Sequence, residues 1–417
     1  MIEFDRRTAL RAGLAVGALG VAGGFAAREM TRTPSPSATK PPAPPRPAAL
    51  AHRKLVVIEM AGGSDGLSMT VPYTDSRYRD LRPTTAIDAE RVHPIDSALG
   101  FHPELALLAA GGAAVVPGVG IATPDLSHFE MLHRWQTGDP DGTVRPGTGF
   151  LGRLCDHLGD ASAPAVGVAL GTGDSRALAC EKVTTLSVDA ENDGLFPVFE
   201  DENVRAAWLA AQRAMAHPDR ADTPLFATAR AGTAAALRFS DAVATLPPAA
   251  DGYPGTDLAV QLRLAARLLA DDALGLRIIH IPMGADFDTH TDHPARYAAL
   301  MSDLDAALAA FRADLAARRL TDRVLISAYS EFGRRVPDNG SSGLDHGAAG
   351  TALLLGPVNP GVFGEIPSLR ALDADDNLRA TTNMTEFYAT LAESWFGVPA
   401  TDVLPGAPRP IPGVIAA

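Results

Sequence analysis

Short apolar runs alternate along this chain with longer segments whose apolar residues recur every three or four positions. Six runs are continuous and apolar, which predicts buried strands. They lie at 54–60, 113–117, 165–170, 276–283, 323–329 and 352–355. The periodic segments predict helices. They lie at 102–110, 129–137, 150–158, 203–246, 258–269, 295–318 and 385–396. Strand and helix alternate almost throughout, so we expect a three-layer α/β/α sandwich around a mainly parallel sheet.

The N-terminal segment has a different pattern from the rest of the chain. Arg6 and Arg7 precede a weakly apolar stretch, 9–27, that is rich in Gly and Ala. Two arginines before a mild apolar region indicate a twin-arginine export signal over 1–30. A short transmembrane helix is the alternative, and an uncleaved signal would act as an anchor. A Pro-rich linker follows over 31–51, and the folded body is predicted over 52–417.

Composition narrows the classes of partner. The chain has 417 residues and a formal net charge of −13, so its surface should repel nucleic acid and anionic lipid headgroups. It contains two cysteines, Cys155 and Cys180, whose spacing fits no cysteine-ligated zinc site. A disulfide between them is possible in an oxidising compartment, although proteins that fold before export usually lack one.

Polar groups of the metal-ligand type follow several of the predicted strands. Ligands of such sheets bind beyond the carboxyl ends of the strands, so these groups should share one rim. In chain order they are Asp65; Asp125, Ser127 and His128; Asp288, His290, Asp292 and His293; and Glu331 with Arg334.

The segment 333–350 contains no helix, which is too little chain for a parallel crossover. The strand after it should therefore run antiparallel to the strand before it. An antiparallel neighbour begins at the edge where its partner ends. This places Asp345 and His346 beside Glu331 at the same rim.

The combined set of carboxylates and imidazoles suits zinc, manganese, iron or magnesium. The predicted metal ligands are Asp65, Asp288, His290, Glu331, Asp345 and His346. Two such metals would clamp a tetrahedral phosphate or sulfate oxyanion. One metal would also lower the pKa of a bound Ser127 hydroxyl and make it a nucleophile.

Each candidate also has a structural interpretation. Asp65, between glycines, could shape a turn. Ser127 could cap the helix that follows it. Asp292 is favoured as a cap of the long helix, because Pro294 fits its first turn. Glu331 could form a salt bridge with Arg334 or Arg335.

The segments GGSDGLSMTVPY, SHF with WQTG, FDTH, SEFGR and DHG occur in an order that resembles the family called domain of unknown function 1501. The resemblance spans about 54–397. That family is similar to the alkaline phosphatase and sulfatase superfamily, so the resemblance implies an alkaline-phosphatase-like fold. It implies metal-ligand roles for Asp65, Asp288, His290 and His346, and a nucleophile near Ser127.

The sequence departs from the superfamily pattern at two points. Glu331-Phe332 replaces an Asp-His pair, and Asp288 and His290 are two positions apart instead of four. One or two divalent ions, zinc or manganese first, are therefore the expected cofactor.

The expected function is a metal-dependent hydrolase of phosphate or sulfate esters that acts in the periplasm, at the cell surface or outside the cell. Its substrate would be a small-molecule or polymer-borne anionic ester, with Arg334 binding the substrate oxyanion. The twin-arginine translocase would be its partner during export. The alternative is a non-catalytic descendant of the same fold that serves as a binding or assembly protein.

Overall fold

The structure is a computed structural model that describes residues 50–143, 147–171, 173–190, 201–217 and 223–416. The predicted export signal and nearly all of the predicted linker lie outside the described residues. None of the described helices is long and apolar enough to cross a bilayer.

The described part of the chain alternates strands and helices as predicted. The strands are Lys54–Met60 (β1), Thr70–Val71 (β2), His93–Pro94 (β3), Gly100–Phe101 (β4), Ala114–Gly120 (β5), Gly167–Leu170 (β6), Thr185–Val188 (β7), Ile278–Met283 (β8), Val324–Tyr329 (β9), Gly350–Leu355 (β10), Gly361–Val362 (β11) and Thr382–Asn383 (β12). The α-helices are Gly66–Met69 (α1), Ser76–Leu81 (α2), Ala106–Gly111 (α3), His128–Thr137 (α4), Phe150–Leu158 (α5), Glu202–Met215 (α6), Pro224–Ala244 (α7), Asp257–Leu269 (α8), His293–Ala317 (α9), Met384–Ala389 (α10) and Ala400–Val403 (α11).

The described strands form one large sheet and one small one. The large sheet has the order β11-β5-β10-β9-β1-β8-β6-β7, with β12 also paired to β5. Its pairs are parallel except for those of β10, which runs antiparallel to both β9 and β5. The antiparallel course predicted from the short connection after β9 is therefore confirmed.

Alternate residues of the central strand β1 enter two different hydrophobic clusters. Val56, Ile58 and Met60 pack in one cluster with residues of α8 and α9. Leu55 and Val57 pack in the other with residues of α4 and α5. Because successive strand residues point to opposite faces, the sheet is covered on both sides. This arrangement confirms the predicted three-layer α/β/α class.

The structure refines the sequence prediction in several details. The helix expected over 102–110 begins only at Ala106, because Gly100–Phe101 pairs with Thr70–Val71 in the small sheet. The stretch 203–246 contains two helices, α6 and α7. The closing helix is α-helical only to Ala389, and Thr390–Trp395 continues it as a π-helix. Both cysteines have free thiols.

Candidate metal centre

Three imidazoles and one carboxylate meet at the carboxyl edge of the large sheet. His128 is the first residue of α4, Asp288 and His290 follow β8, and His346 lies between β9 and β10. We call these four residues the metal centre. The predicted convergence of Asp288, His290 and His346 is present in the structure.

The Nδ1 atom of His128 lies 2.7 Å from Oε1 of Glu331. Glu331 is fully buried just beyond β9, and it also accepts hydrogen bonds from Gly62 N at 2.9 Å and Ser330 Oγ at 2.8 Å. A carboxylate only accepts hydrogen bonds, so Nδ1 of His128 carries the proton. Glu331, predicted as a metal ligand, thus lies behind an imidazole, and its partner is His128 instead of Arg334 or Arg335.

The other two imidazoles are held in the same way. Nδ1 of His346 lies 2.9 Å from the carbonyl oxygen of Leu126. Nδ1 of His290 lies 3.1 Å from Oδ1 of Asp345. Both partners are acceptors, so Nδ1 is again the donor and each neutral ring keeps its lone pair on Nε2. An acceptor behind a ligating histidine fixes its tautomer in this manner at metal sites. Asp345, like Glu331, lies behind an imidazole.

The three Nε2 atoms converge on one oxygen. Their distances to Oδ1 of Asp288 are 3.0 Å for His290, 3.2 Å for His346 and 3.7 Å for His128. The Nε2 atoms of His128 and His346 are 3.0 Å apart. Because the proton of each neutral ring is on Nδ1, the three Nε2 atoms and Oδ1 of Asp288 are all hydrogen-bond acceptors, and they repel one another. A cation bound among them would remove this repulsion. His128, Asp288 and His346 offer ligand atoms that all lie within 4.8 Å of one another.

Arg334 is buried directly behind Asp288. Its Nη2 lies 2.6 Å from Oδ1 of Asp288. Nη2 also contacts the carbonyl oxygens of Gly62 and Phe287, while Nε donates to that of Gly63 and Nη1 to that of Leu344. Burial alone would raise the pKa of Asp288, but the hydrogen bond and charge of Arg334 outweigh it and lower the pKa to about 2. Burial lowers the pKa of His346, which favours the neutral, metal-binding form of the ring.

Asp65 lies in a separate buried cluster, which we call the Asp65 network. Arg82 contacts both of its carboxylate oxygens, at 2.5 and 2.9 Å. Nε2 of His293 lies 3.7 Å from Asp65 Oδ2 and 3.0 Å from Ser68 Oγ, and Tyr297 donates to the backbone carbonyl of Asp65. The charge of Asp65 is thus balanced by Arg82. Its role as a metal ligand stays a prediction, and the structure does not bring it into the metal centre.

Ser127 and Asp292 both occupy the position before a helix, as their structural interpretations predict. Neither side chain makes a capping hydrogen bond. Ser127 is half-buried and adjoins His128 in the chain. Its hydroxyl therefore has no capping role, and its assignment as the nucleophile stays a prediction.

His128 is not among the ligands predicted from the sequence, although it belongs to the predicted rim. His128 is part of the SHF segment after β5, in which Ser127 is the predicted nucleophile. What identifies His128 is its contact with Glu331, which depends on a pairing of segments 203 positions apart.

Several solved structures show a weak similarity to this fold. The lipoteichoic acid synthase LtaP from Listeria monocytogenes is 8% identical, with 85% of this chain and 74% of that chain covered and a TM-score of 0.40. A protein in the alkaline phosphatase superfamily from Vibrio parahaemolyticus is 12% identical, with 95% and 76% covered and a TM-score of 0.40. The PsFucS1 sulfatase from Pseudoalteromonas sp. is 13% identical, with 88% and 75% covered and a TM-score of 0.37. At such scores none of them bears on the activity of this chain.

No protein of curated function matches the sequence. One family model does, and it is described as a protein of unknown function (DUF1501). The match spans residues 98–395, which include all four residues of the metal centre and both carboxylates behind it. The resemblance read from the motifs is confirmed, and this chain belongs to the DUF1501 family.

Proposed function

We propose that this protein is a metal-dependent hydrolase of phosphate or sulfate esters that acts outside the cytoplasm. The observation that carries the proposal is the shared geometry of three histidines. Each Nδ1 is held by an acceptor, and each Nε2 points to Oδ1 of Asp288. This set of nitrogen and carboxylate donors fits a divalent cation of the zinc or manganese type.

The described residues favour one ion over two. A single group of three donors lies within reach of one ion there, namely His128, Asp288 and His346. His290 is not part of that group, although its Nε2 lies 3.0 Å from the same carboxylate oxygen of Asp288. A second ion would need the carboxylate of Asp65 as a ligand, but that carboxylate is paired with Arg82.

The residues of the centre have separate tasks in this proposal. His128, His346 and Asp288 would hold the cation, and the lone pair on Nε2 of His290, which lies 3.0 Å from the same oxygen of Asp288, would be a further donor. A bound cation supplies positive charge to the ester oxygens and lowers the pKa of an attacking hydroxyl. Ser127, which precedes His128 in the chain, is assigned as the nucleophile. Arg334 is 1% exposed, so we assign it to the positioning of Asp288 in place of the predicted contact with substrate.

A binding or assembly role is the second candidate, and one contact favours it. The ring of Phe332 is buried against both His128 and His346, with centroids 4.8 and 5.0 Å apart. Phe332 stands where the superfamily pattern has a histidine, so it closes one approach to the centre without offering a ligand.

Metal content is the first test. The full chain should contain about one equivalent of zinc or manganese, because three histidines and a carboxylate make a complete set of donors. His128→Ala/His346→Ala should lose it, whereas His52→Ala, which removes an exposed histidine outside the centre, should keep it. Elemental analysis after gel filtration measures both. A wild-type chain without metal after incubation with either ion would end the hydrolase proposal.

Hydrolysis separates the two candidates. The metal-loaded chain should cleave an aryl phosphate or an aryl sulfate, and Ser127→Ala should lower kcat by at least about 100-fold if Ser127 is the nucleophile. Ser162→Ala, an exposed serine elsewhere, is the matched control. Metal binding without hydrolysis of either ester would favour the binding role.

The export part of the proposal depends on the twin-arginine pair. Arg6→Lys/Arg7→Lys should leave the protein in the cytoplasm, since that route reads the two arginines. Cell fractionation with an antibody to the folded body measures the change. Export that persists in the variant would contradict the predicted route.

A further inference from the structure

Three chemically reactive side chains lie close together at the same sheet, apart from the metal centre. Oγ of Ser175 is 2.9 Å from Nδ1 of His280. Nε2 of His280 is 3.6 Å from Oε2 of Glu59. Serine, histidine and carboxylate thus follow one another through the two nitrogens of one imidazole; the serine is within hydrogen-bond distance, whereas the carboxylate is within ion-pair distance and makes no hydrogen bond to Nε2.

The fold accounts for this juxtaposition. β1 and β8 are parallel neighbours whose register pairs Val57 with His280 and Glu59 with Pro282. Ser175 comes after β6, which is the neighbour of β8 in the sheet on the side away from β1, and it precedes the turn Arg176–Leu178. Glu59 is next to the last residue of β1, His280 lies midway along β8, and Ser175 lies beyond the carboxyl end of β6, the edge at which ligands of parallel sheets bind.

Burial distinguishes the three residues. His280 is 0% exposed and Glu59 is 2% exposed, whereas Ser175 is half-buried. Of these three side chains, that of Ser175 is therefore the one that a molecule from solvent would contact. Gln136 of α4 donates to both oxygens of Glu59, at 3.0 and 3.3 Å, and holds the carboxylate in place.

This arrangement differs from the metal centre in what its imidazole presents. In the metal centre each Nε2 keeps a lone pair for a cation. His280 lies between a hydroxyl, 2.9 Å from Nδ1, and a carboxylate, 3.6 Å from Nε2, and it belongs to no group of three metal-ligating side chains among the described residues. A histidine between a hydroxyl and a carboxylate is arranged to transfer a proton, and a buried carboxylate stabilises the positive charge that forms on the ring.

We infer that Ser175, His280 and Glu59 form a second catalytic site, which transfers the acyl group of carboxylic esters. Ser175 Oγ attacks the ester carbonyl while its proton moves to Nδ1 of His280, and the negative charge of Glu59, 3.6 Å from Nε2, stabilises the imidazolium. The bond to the alcohol then breaks, and Nδ1 returns the proton to the leaving alkoxide. Water repeats the two steps on the acyl-serine, which releases the carboxylic acid and restores the hydroxyl. No oxidant, reductant or metal is required.

Carboxylic esters fit this site better than phosphate esters. The unit supplies proton transfer but no divalent cation to neutralise a phosphoryl group. The nearby charge is that of Arg176, whose exposed guanidinium lies 3.1 Å from Nδ1 of His133. A neutral acyl group makes a smaller demand on such a site than a dianionic phosphate.

A fluorophosphonate probe tests the inference on the full chain. The probe should phosphonylate Ser175 in the presence of a chelator, and peptide mass spectrometry locates the modified residue. Ser175→Ala should abolish labelling and Ser162→Ala should not. His280→Asn should slow labelling by at least about 100-fold, as expected for the loss of a general base. A wild-type chain that is not labelled at Ser175 would overturn the inference.

A second measurement avoids changes in the core. The thiol introduced by Ser175→Cys should react with iodoacetamide at pH 7 at least about tenfold faster than the one introduced by Ser162→Cys, because an adjacent base generates the thiolate. Equal rates would contradict an activating role of His280. Because neither readout requires metal, failure here leaves the metal-dependent function standing, and the reverse also holds.

Glu59 is a positioning residue in this inference, and pH separates that role from a structural one. In Glu59→Gln the imidazolium loses its carboxylate. The pH of half-maximal labelling should therefore move to a lower value while the labelling at high pH persists. If the pH of half-maximal labelling does not change, Glu59 has no positioning role in this site.

Discussion

The metal centre and the Asp65 network are built from the same residue types within one rim of the sheet. Each contains an aspartate and at least one histidine, and a buried arginine contacts the aspartate of each. In the Asp65 network Arg82 contacts both carboxylate oxygens. In the metal centre Arg334 contacts one oxygen of Asp288, and three imidazole acceptors surround that same oxygen. The balance of donors and acceptors, more than the kind of residue, separates a structural ion pair from a place for a cation.

The largest expected effect breaks the Asp65 network. Arg82→Met leaves the buried carboxylate of Asp65 without its partner, so the free energy of unfolding should fall by about 3–5 kcal/mol. The metal content of the remaining folded protein should not change, because Arg82 does not contact the metal centre. Urea unfolding followed by circular dichroism measures the first quantity, and elemental analysis measures the second.

Asp65→Leu/Arg82→Met is the matched control. Removal of both charges leaves neither partner unpaired, so much of the lost stability should return. If the single variant lost its metal at full stability, the division between the two regions would be wrong and Asp65 would belong to the metal centre.

Acid should also distinguish the two regions through His293. Burial lowers the pKa of His293 to about 4, whereas an unfolded histidine has a pKa of about 6.5. Between these values the unfolded chain binds a proton that the folded chain does not. Stability therefore rises with pH across this window and is complete above it, with a contribution of at most roughly 3 kcal/mol.

Asp65 contributes with the same sign at lower pH. Burial raises its pKa, but the charge and hydrogen bonds of Arg82 outweigh this effect and hold the pKa well below its usual value. Its contribution is present above about pH 4 and disappears as the pH falls further. Unfolding curves between pH 4 and 7.5 measure the slope, and His293→Gln should flatten it above pH 4. An unchanged slope in that variant would assign the acid sensitivity elsewhere.

Much of this comparison could be read from the sequence, and part of it could not. The strand ends placed Asp288, His290 and His346 at one rim, because parallel strands share their carboxyl edge. The missing helix after β9 predicted the antiparallel strand that brings His346 back. Asp65 had the same local pattern, but its partner Arg82 was not visible, since the side chain of Arg82 reaches back across 17 positions. His128 was missing from the predicted metal ligands for a related reason, since its partner Glu331 lies 203 positions away in the chain.

The smallest effect concerns the two carboxylates behind the imidazoles. Glu331 is fully buried against His128, whereas the side chain of Asp345 is 50% exposed beside His290. Glu331→Gln keeps the size of the side chain but removes the charge that holds Nδ1–H of His128. Metal affinity should therefore fall by about 10–100-fold. Chelator competition measures this change.

Asp345→Asn should weaken metal binding by less than about tenfold, because water screens a half-exposed carboxylate and replaces part of its hydrogen bond. The charge removed is the same in both variants, so the difference between them isolates burial. Equal losses would mean that the distance from carboxylate to imidazole decides the effect, since those distances are 2.7 and 3.1 Å. A larger loss for Asp345→Asn would move the strongest ligand from His128 to His290, and with it the position of the cation relative to Asp288.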